Sequence, residues 1–303
     1  MVTARDRGRM LSAALACALL LSGCIDVTVG NTPSPPTVAD HDTAQPPPSP
    51  TPSPSSAAPP SSQTCSTMLS DYRLDIRRTG AVTAADERMV TAALRLARRH
   101  FDVRVPECEP GGVTVSVLDR ENERFAAGTF VSDVPRFEIE VYAGGSAWDR
   151  TPRSQMPLTM LHEWYHVVQF SFLGCDEPRC RPQVRPIPGW LIEGGAEYAA
   201  AQAAQDERLI FYSFIRRSEL FRAAEVDTPL DRMRETRTSA DYGLAFAAVE
   251  LLVRDAGPNA LLDFWSQAGS SGRWEREFLD AFGTTPARFY RVFAAYRARG
   301  FRT

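Results

Sequence analysis

The chain has 303 residues, 44% of them hydrophobic and 23% charged, proportions of a globular protein with room for one large domain. A formal net charge of -3, from 34 basic and 37 acidic side chains, excludes the strongly basic balance of a nucleic-acid surface, and no nucleic-acid partner is expected. Every basic residue is an arginine, and the arginines are spread along the sequence rather than gathered as an anion site would require.

At the amino terminus, Arg5, Arg7 and Arg9 precede the apolar run from Met10 to Leu21, which is too short to span a bilayer and reads as a secretory signal. The run ends in Leu21-Ser22-Gly23-Cys24, which resembles the lipobox of bacterial lipoproteins. That resemblance implies a signal peptide over residues 1–24 and a lipid on Cys24. The chain would then be held to the cell membrane on its extracytoplasmic face. Residues 25–64 follow as a tether: 11 of the 23 prolines lie between Pro33 and Pro60, amid Ser, Thr and Ala that cannot bury a core.

With Cys17 in the leader and Cys24 as the anchor, Cys65, Cys108, Cys175 and Cys180 remain. An even number in an oxidising compartment predicts two disulfides among three possible pairings. The short Cys175 to Cys180 interval, turned by Pro178, favours a local bridge and leaves Cys65 with Cys108. A four-thiolate zinc site would need paired CxxC spacing, which is absent.

The folded domain is expected over residues 65–303. Thr83, followed by Asp86 and Glu87, reads as a helix start, and Met89, Val90, Ala93, Leu94, Leu96 and Ala97 form a stripe ending near Phe101. Two strands follow by alternation, Gly112 to Leu118 and Arg136 to Tyr142. After the Gly144-Gly145 break, Pro157 opens a helix with Leu158, Leu161, Tyr165, Val168 and Phe172 facing inward and His162, His166 and Gln169 on the neighbouring face, toward a cleft. Beyond the proline-rich stretch from Cys175 to Pro188, a helix carries Trp190 to Tyr198 and runs to about Gln205. Its adjacent Gly194 and Gly195 predict a close backbone approach, with the preceding helix as the natural neighbour. Further helices are expected at Glu207 to Ala223, Asp241 to Asp255, Asn259 to Ala268, Trp274 to Phe282 and Pro286 to Arg299.

The chemistry concentrates in His162-Glu163-Trp164-Tyr165-His166. Two histidines four residues apart on a helix reach the same ion, and the carboxylate of Glu163 would border the open position, where it can take a proton from a metal-bound water. Zn2+ is the expected cofactor, and it needs a third protein ligand. His41 lies in the tether and His100 ends a helix, so a carboxylate is expected. Glu193 is preferred over Glu197 or Asp176 because Trp190, Leu191, Gly194 and Ala196 flank it as a buried face would. Glu197, one turn later, can accept from the second nitrogen of a ligating histidine.

The pair HEWYH and Trp190-Leu191-Ile192-Glu193-Gly194-Gly195-Ala196-Glu197-Tyr198 resembles the gluzincin metallopeptidases, in particular the peptidase MA-like domains with HExxH and WLxEGxAEY. Asp241-Tyr242-Gly243-Leu244-Ala245-Phe246 is also similar to a later helix of that family. The resemblance implies an α+β, zincin-like fold: a small twisted sheet, an active-site helix and a mostly helical C-terminal half. It further implies zinc on His162, His166 and Glu193, Glu163 as general base, and a peptide or protein substrate; Tyr242 is the candidate oxyanion donor, a core or helix-start tyrosine being the alternative reading. No GAMEN-type motif is present, which points to an endopeptidase. The competing expectation is a degenerate zincin serving as a binding or scaffold lipoprotein, against which the intact Glu163 argues.

Overall fold

A computed structural model of the chain describes residues 66–107, 110–121, 126–133, 136–151, 153–173, 187–271 and 273–302. The leader with Cys24, the tether with His41, the four cysteines expected in disulfides, and Asp176 lie outside the described residues.

Strands β1 (Thr67–Met68) and β3 (Arg104–Val105) form a small antiparallel pair. The main sheet has four strands, β2 (Arg73–Thr79), β4 (Gly112–Leu118), β5 (Ala127–Asp133) and β6 (Arg136–Tyr142), in the order β2-β4-β6-β5. The first three are mutually parallel and β5 closes the sheet antiparallel to β6. Alternation sets which face is buried. Leu74, Val113 and Phe137 form one row across the sheet, and Ile76, Val115, Ile139 and Thr129 form the next. Val113, Val115, Val117, Phe137, Ile139 and Val141 are all buried. The second row thus ends, on β5, in a hydroxyl.

The strands β4 and β6 coincide with the expected spans. The strands β2 and β5 were not foreseen. An edge strand reading Arg-Leu-Asp-Ile-Arg-Arg-Thr carries two apolar residues, and one reading Ala-Gly-Thr-Phe-Val-Ser-Asp is interrupted by glycine, so neither shows a clean period of two.

Helix α1 (Ala84–His100) is capped by Thr83, whose side chain accepts from the Asp86 amide. A short α2 (Ser146–Arg150) leads to α3 (Met156–Leu173), which bears the HExxH residues, and α4 (Gly189–Asp206) bears Glu193 and Glu197. Helices α5 (Tyr212–Ala223), α6 (Ser239–Ala256), α7 (Ala260–Ser271), α8 (Trp274–Phe282) and α9 (Pro286–Ala298) complete the described residues. The start of α5 lies five residues later than expected, because α4 runs on to Asp206 and Arg208 then takes a left-handed φ of 57°. The α+β expectation is matched at the level of a mixed α/β architecture with small sheets and a long helical half.

Two expectations about α3 and α4 are corrected. Of the 18 residues of α3, 16 are buried, so the helix is enclosed all round instead of presenting one face to a cleft. The close neighbour of Gly194 is not α3 but α6: a Cβ there would lie 2.4 Å from the Ala245 carbonyl oxygen. Gly195 does face α3, its Cβ direction meeting the Gln169 amide at 3.0 Å. A single apolar cluster runs from the sheet through Leu161 and Trp164 of α3 into Phe246, Trp265, Phe278 and Phe289 of the helical half. The metal-ligating candidates therefore sit where sheet, α3, α4 and α6 meet.

Candidate metal centre

His162 and His166 lie one turn apart on α3 with ring centroids 4.7 Å apart, and Glu193 approaches them from α4. Their Nε2 atoms are 3.1 Å apart, and Glu193 Oε2 stands 3.4 Å from each. Ligands held at ~2.0–2.1 Å from a tetrahedral ion are separated by about 3.3–3.4 Å, so this triangle has the edge lengths of one face of such a site. All three residues are buried, and they are the group of ligand-type side chains found together among the described residues.

Glu193 Oε2 has no hydrogen-bond partner, although it is sealed from solvent. An orphan carboxylate oxygen is costly unless it faces a cation, and here it faces the same point as two imidazole nitrogens. The donor set, two imidazoles and one carboxylate, is one that binds a divalent transition metal.

The electrostatics agree. Burial pushes the Glu193 carboxyl up, but the imidazoles of His166 and His162 outweigh it and hold the group down at about 2. Burial lowers His162, while the carboxylates of Glu193, Glu197 and Glu163 more than reverse this and carry it to about 9. A concentration of buried negative charge that draws a proton onto His162 would equally draw a metal ion.

Glu163 projects from α3 toward β5. Thr129 Oγ1 lies 2.8 Å from its Oε2 and 3.0 Å from its backbone oxygen. Tyr242, at the start of α6 and fully buried, has its ring 6.2 Å from that of His162. Glu197 Oε1 stands 3.7 Å from His162 Nδ1, an ion-pair separation, so the hydrogen bond expected between Glu197 and a ligating histidine is not formed. Burial raises the Glu197 carboxyl, and His162 and Arg222 act in the opposite direction. Arg222, buried on α5 and ion-paired with Glu219, is thus a cation behind the site. His100 is elsewhere, with Nδ1 3.2 Å from Glu207.

All of Glu163, Tyr242, Glu193 and Glu197 are therefore brought around the two histidines. Thr129 and Arg222 were not anticipated, and Gln169 was placed on the histidine face without a role. Thr129 lies 34 residues before Glu163, in a strand without periodic signal, and Arg222 reads as one more helical arginine, so neither carries a local mark.

Comparisons with protein-family models, with curated proteins and with solved structures return no match.

Proposed function

We propose that this chain is a zinc-dependent metallopeptidase of gluzincin type, with a zincin-like fold, acting as an endopeptidase on peptides or proteins. The observation that carries the reading is the triangle of His162 Nε2, His166 Nε2 and Glu193 Oε2, with the carboxylate of Glu163 one residue from the first histidine. A bound zinc ion would polarise the scissile carbonyl and make a coordinated water acidic near neutral pH.

In this reading His162, His166 and Glu193 hold the metal. Glu163 takes the proton of the attacking water and passes it to the departing amine nitrogen. Thr129 keeps the Glu163 carboxylate on the β5 side of α3. Tyr242 is the proposed donor to the oxygen that gains charge during attack. Glu197 supports His162 from behind, and Arg222 keeps negative charge at Glu197 tolerable. Lipidation at Cys24 would place the domain outside the cytoplasmic membrane, on the tether of residues 25–64, with the Cys65, Cys108, Cys175 and Cys180 thiols oxidised.

The test compares the purified full chain with its Glu163→Gln variant for metal content and for cleavage of a peptide library. About one zinc per chain in both is expected, with cleavage reduced about 10²–10⁴-fold in the variant. Bound metal without any Glu163-dependent cleavage would instead favour a binding or scaffold role for the same site.

A further inference from the structure

Gln169 is fully buried and lies on α3 one turn beyond His166. Its Nε2 lies 2.9 Å from the backbone oxygen of Ile192 on α4, and its Oε1 lies 2.7 Å from His166 Nδ1. A carbonyl oxygen only accepts, so the Gln169 amide nitrogen must be the atom facing Ile192. The reversed amide would set two acceptors 2.9 Å apart in a site closed to water. With that orientation settled, Oε1 faces the imidazole and can only accept, so His166 Nδ1 must carry the hydrogen. In the neutral ring the lone pair of His166 is then at Nε2, the atom 3.1 Å from His162 Nε2 and 3.4 Å from Glu193 Oε2.

The same side chain does a second thing. Ile192 immediately precedes Glu193, so the bond to Ile192 O ties the ligand-bearing turn of α4 to that of α3. Room for it comes from Gly195, where even a methyl group would approach the Gln169 amide to 3.0 Å. We infer that Gln169 is a positioning residue of the metal centre: it selects the His166 tautomer with a bare Nε2 and pins the backbone beside Glu193, with Gly195 as the space it occupies. This inference rests on the reading of His162, His166 and Glu193 as metal ligands.

The experiment uses the full chain, freed of metal and labelled with 15N at histidine. Long-range 1H–15N spectra should show the His166 ring with hydrogen on Nδ1 in the wild type. Gln169→Leu, close in shape and without polar atoms, should lose that preference and weaken Zn2+ binding, measured by chelator competition, by ~10- to 100-fold. Gln169→Glu keeps the acceptor for Nδ1–H but turns a second acceptor toward the Ile192 oxygen, so it should retain the tautomer while losing the tie to α4. A wild-type His166 protonated at Nε2, or a Gln169→Leu protein that binds Zn2+ within about twofold of wild type, would overturn the inference. If Gln169→Leu does not fold, the wild-type spectrum decides the question. A wild type that binds no Zn2+ defeats the metal reading itself, and the spectrum of the metal-free protein still judges Gln169 separately.

Discussion

Thr129 and Glu163 are joined across the interface between sheet and helix: one hydroxyl on β5 lies 2.8 Å from the Glu163 carboxylate and 3.0 Å from the Glu163 carbonyl oxygen. The position follows from register, since Thr129 pairs with Ile139 and so faces the core side of the sheet, where α3 lies. A hydrogen bond to a charged group contributes about 1.5–3 kcal/mol, so in the proposed peptidase losing it should slow proton transfer by roughly 10- to 100-fold. Thr129→Val is therefore expected to lower kcat with unchanged metal content, and Thr129→Ser to restore most of it. Steady-state kinetics beside metal analysis checks this, and a Thr129→Val protein with wild-type kcat would remove Thr129 from the proposed proton transfer.

The pH behaviour of the metal-free protein follows from two displaced groups. His162 is carried from 6.5 to about 9, so its contribution to stability is complete below about 6.5 and is lost as the pH rises through about 9. Glu193 is held down from 4.5 to about 2, so its contribution is present above about 4.5 and lost as the pH falls through about 2. These two groups together favour the folded metal-free protein most between about pH 4.5 and 6.5. Metal binding runs the other way, because the proton on His162 must leave, and affinity should climb as the pH rises toward about 9. Urea unfolding across pH and calorimetry in buffers of different ionisation enthalpy measure the two effects. Zinc binding without proton release at pH 7 would contradict the assignment.

Removal of the metal should be visible as lost stability. An ion present at about 100 times its dissociation constant stabilises the folded state by about 2.7 kcal/mol, which for a domain of this size is about 5–10 °C in Tm. The metal-loaded wild type is expected to lose that increment on chelation. Glu193→Ala should show a Tm that chelator does not change, since one corner of the ligand triangle is gone. A chelator-sensitive Glu193→Ala protein would mean that the ion sits elsewhere.

Gly194→Ala tests the contact of α4 with α6. The added methyl carbon would lie 2.4 Å from the Ala245 oxygen and 2.6 Å from its carbonyl carbon, both backbone atoms that cannot swing aside. The two helices must separate, at about 1–3 kcal/mol of stability. Ala245 is three residues from Tyr242, so the same displacement should move the Tyr242 ring relative to His162. Thermal unfolding together with activity at a permissive temperature reads both, and an unchanged Tm would show that the helices yield more easily than their spacing implies.

Much of the site was legible because its parts are local. The spacing of His162 and His166 acquires its meaning within one helical turn, and the apolar flanks of Glu193 mark a buried helix by themselves. The Thr83 cap was legible for the same reason, its partner Asp86 being three residues away. The strand β2 was hidden because an edge strand with Arg73, Arg77 and Arg78 exposed needs no apolar alternation, and β5 because Gly128 breaks it.

By itself, then, the sequence determined which side chains can ligate a metal and the helices that carry them, since each of these is a property of a few consecutive residues. Only the tertiary structure decided that His162, His166 and Glu193 meet at 3.1 to 3.4 Å, that Gly194 admits α6 rather than α3, and that Thr129 and Gln169 reach the site. Those contacts depend on strand register and on how closely two helices approach. Both are set by packing over residues far apart in the chain, which no local period encodes.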